Sequence, residues 1–193
     1  MNSWQKPIFL FETIKILGFV PQNLKFHERR ISDSLEGAKA KFDLNKLLNS
    51  PFDGVVRAKV IYDTSGNLVD TQYFPYEMRE FREFKLVDIK FGYSKKFLDR
   101  SDIDTAKGKF EEIIMIKNNF ANDTSIANLA IFEDGWITPK APLLKGTTRA
   151  RLLEEGFLKE DDISVQRLLN AKKFAVMNAM IGFCEVEEFK FIL

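Results

Sequence analysis

The sequence predicts an α+β fold, in which helices and strands are mixed without the regular alternation of a parallel α/β protein. Short apolar or β-branched runs bounded by turn residues predict strands, and several of them pair as hairpins in the first half of the chain. Neither a Gly-x-Gly-x-x-Gly turn nor a Walker-type loop is present, which argues against a doubly wound nucleotide-binding sheet. The 193 residues suffice for one sizeable core or two small ones.

The elements of the first half follow from local patterns. Gly18 ends the first strand, Asp43 is a good N-cap for the second helix, and Gly66 lies in the loop of a hairpin. In order, the predicted elements are a strand Ile8 to Leu17, a helix Leu24 to Phe42, a short helix Asp43 to Leu48, and a hairpin of Val55 to Tyr62 with Leu68 to Phe74.

The second half begins after Pro75 to Glu83, a charged stretch that we interpret as a linker. The predicted domains are therefore a small N-terminal one at 1–74, a linker at 75–84 and a larger C-terminal one at 85–193. The predicted strands are Lys85 to Phe91, Glu112 to Ile116, Asn128 to Phe132, Trp136 to Ile137, Phe174 to Met177 and Val186 to Ile192, and the helices are Ser101 to Lys109, Thr147 to Glu155 and Ser164 to Ala171.

Composition excludes several classes of function. With 29 basic and 28 acidic side chains, the chain gives no reason to expect nucleic acid or an anionic membrane as a partner. A single cysteine, Cys184, and a single histidine, His27, leave no internal disulfide and exclude most metal centres. The start lacks a signal-peptide pattern, and no apolar run is long enough to cross a bilayer, so we expect a soluble cytoplasmic protein.

Three segments follow one another in an order that suits a single cofactor: Lys96-Phe97-Leu98-Asp99-Arg100, then Asn122 to Asn128, then Pro142 to Arg149. They supply an amine that can bind an aldehyde covalently, a carboxylate that can pair with a ring nitrogen, and a Gly-Thr-Thr turn that can bind a phosphate. This set is the inventory of a pyridoxal-phosphate (PLP) site.

Together these motifs resemble the class IV family, which contains branched-chain and D-amino acid aminotransferases and aminodeoxychorismate lyases. Phe11-Glu12-Thr13-Ile14 resembles the Phe-Glu-Thr strand of that family, and the resemblance runs from about Phe9 to Val186. It implies the two-domain fold of D-amino acid aminotransferases in a shortened form. It also implies PLP as the cofactor and a small amino compound as the substrate.

The resemblance assigns the reactive amine to Lys96, which precedes a Leu-x-Arg stretch as in the family, and not to its neighbour Lys95. If the segment is a strand, its alternation places the two lysines on opposite faces, so only one enters a pocket. The structural alternative is a solvated lysine pair. In the family, this lysine binds the cofactor and then acts as the base at the amine-bearing carbon.

The resemblance assigns the partner of the ring nitrogen to Asp123, five residues before Asn128. The family usually has glutamate at this position, so the shorter acid is a departure. The alternative is that Asp123 only forms an Asx turn within Asn122-Asp123-Thr124-Ser125.

Phosphate binding is assigned to Gly146, Thr147 and Thr148, which open a Gly-Thr-Thr-Arg stretch that matches the family's Gly-Ile-Thr-Arg turn, and to Arg30, which matches its His-x-x-Arg motif. His27 then serves packing or hydrogen bonding instead of catalysis. Arg57 is the counterpart of a family arginine that can contact substrate carboxylates. With Lys59 it shares one strand face, and both could equally form the solvated face of a hairpin.

Within the family, Met177 to Phe183 resembles a segment of the lyases, and the whole chain resembles the lyase domains fused to chorismate-processing enzymes. The first hypothesis is therefore a 4-amino-4-deoxychorismate lyase that makes 4-aminobenzoate and pyruvate for folate precursor synthesis. The alternatives are a branched-chain or D-amino acid aminotransferase, favoured only by the 19 phenylalanines, and a non-catalytic binding protein. The family also implies a homodimer.

Overall fold

The computed structural model describes residues 8–193 and confirms the α+β fold. The chain divides into two compact units, of which the first ends at Glu77 and also includes Lys95–Asp99. The second unit consists of Met78–Ser94 and Arg100–Leu193. The end of the first unit at Glu77 lies within the predicted linker. The predicted C-terminal domain of 85–193 differs from the second unit, because Lys95–Asp99 belongs to the first unit. Residues 1–7, which begin the segment tested for a signal peptide, lie outside the described part.

The first unit is an antiparallel sheet with two helices. Its elements are β1 (Phe9–Leu17), β2 (Val20–Pro21), α1 (Leu24–Ser34), α2 (Leu44–Leu47), β3 (Val55–Asp63) and β4 (Leu68–Pro75). The strands lie in the order β2-β1-β3-β4. Alternate residues of β1 and β3, such as Ile14 and Val60, are fully buried in one core. The predicted hairpin of β3 and β4 is confirmed.

Helix α1 is shorter than the predicted helix, which extended to Phe42. It ends at Ser34 because Glu36 and Gly37 have φ angles of 49° and 103°, which an α-helix cannot contain. Asp43 caps α2 as predicted, since its side chain accepts a hydrogen bond of 2.9 Å from the Asn45 N–H.

The second unit holds a larger mixed sheet. Its strands are β5 (Glu83–Asp88), β6 (Glu112–Lys117), β7 (Phe120–Thr124), β8 (Asn128–Phe132), β9 (Trp136–Pro139), β10 (Leu158–Asp161), β11 (Phe174–Asn178), β12 (Gly182–Val186) and β13 (Lys190–Ile192). Its helices are α3 (Ser101–Lys107), α4 (Thr147–Glu154) and α5 (Val165–Leu169). The strand order is β10-β9-β8-β7-β6-β5-β13, and β11 pairs with both β8 and β12.

The sequence patterns missed three features of this unit. Strand β7 is polar in sequence, yet it pairs with β6 after a turn at Asn118 and Asn119, whose φ angles are 53° and 66°. Strand β10 carries mostly charged residues because it is an edge strand beside β9. The predicted strand Val186 to Ile192 is wrong, because Glu188 has a φ of 52° and separates β12 from β13.

Phenylalanine supplies much of the core of the second unit. The rings of Phe84, Phe174 and Phe191 make edge contacts, with centroids 5.0 Å apart for Phe84–Phe174 and 5.2 Å for Phe174–Phe191. Phe189 lies 5.5 Å from Phe174 and completes the cluster. These four phenylalanines therefore fill a core. Within the described residues, none of the helices is long and apolar enough to cross a membrane.

Candidate active site

Lys95 and Lys96 lie in an irregular segment attached to β1, not in a strand. The Phe11 N–H donates to the Lys96 carbonyl at 2.9 Å, the Leu98 N–H donates to the Phe9 carbonyl at 2.8 Å, and Phe97 forms one bridge to Leu10. The argument that strand alternation places the two lysines on opposite faces therefore does not apply, because this segment is not a strand. The bonds to β1 explain why Lys95–Asp99 belongs to the first unit.

The two lysines nevertheless point to different groups. The Lys95 ammonium forms an ion pair of 2.8 Å with Glu36. The Lys96 Nζ lies 4.5 Å from the centroid of the Phe11 ring, where its charge meets an aromatic face. Lys95 is thus held by a carboxylate, which supports the choice of Lys96. Covalent attachment of a cofactor to Lys96 stays a prediction.

A buried acid on β1 binds two side chains of α1. Glu12 is fully buried, and its Oε2 lies 2.6 Å from His27 Nδ1. Arg30 donates from Nε to Glu12 Oε1 at 2.8 Å and from Nη2 to Oε2, which makes a bidentate pair. The hydrogen-bonding role expected of His27 is confirmed. The proposed role of Arg30 in binding a phosphate stays a prediction. The structure adds that the Glu12 carboxylate fixes the position of the Arg30 guanidinium.

Glu12→Gln is expected to lower the unfolding free energy at pH 7 by about 3–5 kcal/mol, because it breaks a buried ion pair on one side. Burial would raise the pKa of Glu12, but the charge of Arg30 and the bond to His27 outweigh it and hold the pKa at about 2. The contribution of the charge is complete above pH 4.5 and is lost as pH falls toward 2. Urea unfolding at pH 7 and pH 3 measures the loss.

The matched control for this change is Glu28→Gln, on the exposed side of the same helix, which should alter stability by less than about 0.5 kcal/mol. A Glu12→Gln variant as stable as the parent at pH 7 would contradict the assignment of Glu12 as the anchor of α1.

In the second unit, Asp123 and Asn128 face each other across a tight hairpin. They are Cα partners in the β7–β8 pair, and the four residues between them form the turn. The Thr124 N–H donates to the Ala127 carbonyl at 2.8 Å, and the Thr124 hydroxyl accepts from the Ala127 N–H at 3.0 Å. The five-residue spacing between Asp123 and Asn128 therefore follows from the pairing register of the hairpin. The turn is built by Thr124, so the reading of Asp123 as only an Asx-turn residue is wrong.

Both oxygens of the Asp123 carboxylate have donors. Oδ1 accepts from Asn128 Nδ2 at 2.6 Å, and Oδ2 accepts from the Leu144 N–H at 2.8 Å. The side chain is 4% exposed. Burial raises the pKa of Asp123 to about 7, although the bonds from Leu144 and Asn128 and the charge of Arg149 act to lower it. A buried acid that changes its charge near neutral pH suits a site where a cation will bind.

Asn128 also connects the carboxylate to the turn before α4. Its Nδ2 donates to the Leu144 carbonyl at 2.8 Å as well as to Asp123. A Cβ on Gly146 would lie 1.9 Å from Asn128 Oδ1, so any other residue there would force the Asn128 side chain to move. Thr147 and Thr148 follow as the first residues of α4, and both are buried. The first N–H groups of a helix have no intrahelical acceptor, so this turn can bind a phosphate.

Gly146→Ala is expected to lower the unfolding free energy by about 1–3 kcal/mol, because the new methyl group overlaps the Asn128 side chain. Relief requires movement of Asn128, which would break its bonds to Asp123 and Leu144. Thermal unfolding measures the loss, and fluorescence titration with PLP should show weaker binding. Gly92→Ala is the control, since a Cβ there meets nothing within 4 Å. Equal effects of the two substitutions would contradict the packing argument.

Sequence reasoning assigned no role to Arg149, although it belongs to the Gly-Thr-Thr-Arg motif. The side chain is buried, and Nη2 donates to the Pro139 carbonyl at 2.8 Å and to Glu160 on β10. Arg149 thereby connects the start of α4 to β9 and β10.

The remaining candidate, Arg57, lies on β3 in the first unit, and its guanidinium is 4.7 Å from the centroid of the Phe74 ring.

Comparison with known proteins identifies the family to which this chain belongs. The family model described as amino-transferase class IV matches residues 93–189. An uncharacterized protein from Haemophilus influenzae is 36% identical over 189 residues, which is 90% of this chain and 98% of that protein. The chain belongs to the class IV aminotransferase family. The class IV fold predicted from the sequence is thus confirmed, in a chain that is short for that fold.

Two further relatives of this class IV protein have lyase names. A Haemophilus somnus structure with the provisional name 4-amino-4-deoxychorismate lyase is 34% identical, with a TM-score of 0.81, and the match covers 94% of this chain and 100% of that one. A Schizosaccharomyces pombe protein with the provisional name aminodeoxychorismate lyase is 31% identical over 94 residues, which is 46% of this chain and 40% of that protein.

Members of the family bind PLP, and each unit of this class IV protein has side chains of a kind that suits that cofactor. The second unit supplies a buried carboxylate, Asp123, for a protonated ring nitrogen. It also supplies a glycine turn with two threonines at the start of α4 for a phosphate. Lys96, in the first unit, is an amine of the kind that forms a covalent bond with the cofactor aldehyde.

Proposed function

We propose that the chain is a PLP-dependent 4-amino-4-deoxychorismate lyase that forms 4-aminobenzoate and pyruvate. The observation that carries the cofactor part is the buried Asp123, held by Asn128 beside the Gly146 turn. A carboxylate with no ligand role would be costly at this depth, since its desolvation is only partly offset by two hydrogen bonds.

In this proposal each residue has one task. Lys96 binds the cofactor, is displaced by the substrate amine, and then removes the proton from the ring carbon that bears the amine. Asp123 keeps the ring nitrogen protonated, and the Gly146 turn with Thr147, Thr148 and Arg30 binds the phosphate. When bound, PLP accepts the electron pair left by the lost proton.

The net reaction needs no oxidant or reductant. The proton leaves the amine-bearing carbon, the carbon–oxygen bond to the three-carbon side chain breaks, and the ring becomes aromatic. The departing three-carbon fragment takes up one proton on carbon and becomes pyruvate. One proton is taken up and one is released in each turnover, so the neutral amine of Lys96 is regenerated as the base.

Two observations favour the lyase over a branched-chain or D-amino acid aminotransferase. The match to the Haemophilus somnus protein covers almost the whole chain at 34% identity. The phenylalanine content, which was the only sequence feature favouring an aminotransferase, is partly explained by the core cluster around Phe84 and Phe174. The shortened chain and the aspartate at position 123 keep a non-catalytic binding protein as the third alternative.

Incubation of the PLP-loaded protein with 4-amino-4-deoxychorismate tests the proposal. We expect 4-aminobenzoate and pyruvate to form in equal amounts and the cofactor to return to its lysine-bound absorption. If amino acids instead convert the cofactor to its amine form, and 2-oxo acids reverse that conversion, the protein is an aminotransferase. Cofactor binding with neither reaction would favour the non-catalytic alternative.

The protein is further expected to be a homodimer that pairs through its first unit, as the family resemblance implies. The β1–β2 turn of this unit exposes Leu17, Phe19 and Val20, with exposed fractions of 50%, 57% and 59%. A cluster of apolar side chains of this kind is typical of an interface. Sedimentation velocity at micromolar concentration measures the mass. A monomer that still binds PLP would contradict the expectation.

A further inference from the structure

The sheet of the first unit has one apolar face and one basic face. Its buried side chains include Ile14 of β1 and Ala58 of β3, which point into the core. The intervening positions carry Lys15 on β1 and Arg57 and Lys59 on β3. Because successive side chains of a strand point to opposite faces, these three cations lie on the face of the sheet away from the core. We call Lys15, Arg57, Lys59 and Lys96 the basic face.

Aromatic rings lie beside three of the cations of this face. The Lys59 Nζ lies 5.3 Å from the centroid of the Phe11 ring, and the Lys96 Nζ lies 4.5 Å from the same centroid. Arg57 stacks 4.7 Å from the centroid of Phe74. Lys15, Arg57 and Lys59 are all only partly exposed. Their charges are thus screened by water less than those of ordinary surface lysines.

Three of these cations, the ones on β1 and β3, form no ion pair within residues 8–193. Lys15 and Arg57 are direct cross-strand neighbours, a like-charge arrangement that destabilises a sheet by itself. In the same part of the chain, the buried Arg57 Nε has no hydrogen-bond acceptor.

The acids on this face are already engaged elsewhere. Asp63 accepts hydrogen bonds from Asn67, at the loop between β3 and β4. Asp70, opposite Ile61, accepts from the Thr71 N–H at 2.8 Å and from Gln72 Nε2 at 2.7 Å. Both acids lie toward the loop end of the hairpin, whereas Lys15 and Arg57 lie toward its other end. The basic face therefore has room for added negative charge.

We propose that the basic face selects a substrate with two carboxylates, with Lys59 as a specificity residue that binds one of them while Arg57 binds the other. Rotating lysine donors and a planar guanidinium with a free Nε–H are well suited to separate carboxylates. An amino acid with an apolar side chain has one carboxylate and would leave one of these cations without a partner. This inference rests on the proposed lyase function, and it adds the residues that recognise the second anionic group.

Binding of two unreactive probes to the PLP-loaded protein tests the proposal. Isophthalate and benzoate share a benzene ring, differ by one carboxylate, and lack the amine that would react. Titration calorimetry is expected to show isophthalate binding at least about 10-fold more tightly than benzoate, the usual gain from one charge-assisted contact. Equal affinities for the two probes would overturn the proposal.

Substitutions identify the residues responsible. Lys59→Gln is expected to remove most of the preference for isophthalate while changing benzoate affinity by less than about 3-fold, and Lys59→Arg should restore it. Lys46→Gln is the control, because that ammonium is on α2 with a side chain 87% exposed. Thermal melting verifies that the variants are folded. A preference that survives in folded Lys59→Gln would show that Lys59 has no role.

The outcome separates this inference from the lyase proposal. If the isophthalate preference depends on Lys59 but aminodeoxychorismate gives no pyruvate, the basic face is established and the lyase reaction is wrong. If pyruvate forms while isophthalate and benzoate bind equally, the lyase reaction stands and the basic face is wrong. In kinetic terms, Lys59→Gln should raise KM for aminodeoxychorismate more than it lowers kcat, since Lys59 takes no part in proton transfer.

Discussion

Lys96→Ala is expected to abolish covalent attachment of PLP, whereas Lys95→Ala is expected to leave it intact. The Lys95 ammonium is held by Glu36 at 2.8 Å, whereas the Lys96 Nζ lies over the ring of Phe11 on β1. Borohydride reduction followed by peptide mass spectrometry locates the labelled lysine. Turnover should fall by at least about 100- to 10,000-fold in Lys96→Ala, because a general base is lost.

Lys95→Ala is the matched control, since it removes the same side chain one residue away. Its expected effect is confined to the exposed ion pair with Glu36, which contributes less than about 1 kcal/mol to stability. Label on Lys95 would show that the motif register is wrong by one residue. Tight but purely non-covalent binding in the parent protein would exclude both lysines and favour the non-catalytic alternative.

Much of the fold could be predicted because local patterns decide it. The β3–β4 hairpin, the Asp43 cap and the apolar strands β6 and β8 agree with the sequence. The failures occurred where tertiary context decides. Strand β7 has the polar sequence FANDT and is a strand because it pairs with β6 after two asparagines with positive φ. Propensity cannot foresee such a pairing.

The candidate site shows the same division. The family motifs named Lys96, Asp123 and Gly146, but they could not tell what each side chain touches. Asn128 was only a spacing marker in the sequence, yet its amide joins Asp123 to the Leu144 carbonyl and would have to move to admit a side chain at position 146. These contacts depend on hairpin register and a loop 16 residues further on, which one sequence does not encode locally.

The ion-pair cluster of the first unit has only one local signal in the sequence, the position of Glu12 within β1. On its face of β1, Glu12 lies between the apolar residues Leu10 and Ile14, and a buried glutamate is unusual unless it is paired. Its partners, His27 and Arg30, stand 15 and 18 residues away on α1. The signal that could have found the cluster is the burial pattern of β1, since Glu12 shares the face of Leu10 and Ile14, which both belong to the core.

Asp123→Asn is expected to leave PLP bound while reducing turnover by about 100-fold or more. Asparagine nearly preserves the shape of the side chain but carries no charge, so it cannot keep a ring nitrogen protonated. The phosphate turn at Gly146 and the covalent bond to Lys96 do not depend on that charge. Absorption spectra of the variant should show bound cofactor, and steady-state kinetics should show a loss mainly in kcat. A near-normal rate would mean that another group pairs with the ring nitrogen.

The parent protein and this variant should also differ in the pH dependence of their stability when no cofactor is bound. Burial raises the pKa of Asp123 from 3.8 to about 7, so the neutral form is favoured in the folded state. The resulting stabilisation is complete below pH 3.8 and is lost as pH rises through 7, by on the order of 4 kcal/mol in all. Without PLP, the parent should therefore lose stability between pH 5 and pH 8 relative to Asp123→Asn, whose amide does not titrate.

Saturating PLP should reduce this pH dependence, because a protonated ring nitrogen beside Asp123 would favour the ionised carboxylate and lower its pKa. Urea unfolding at pH 5.5 and pH 8, with and without PLP, measures the effect in the parent and in the variant. Loss of the pH-dependent difference on cofactor binding would identify Asp123 as the group that meets the cation. Persistence of the difference in the PLP-loaded protein would show that the carboxylate stays neutral and serves only to hold Asn128 and Leu144 in place.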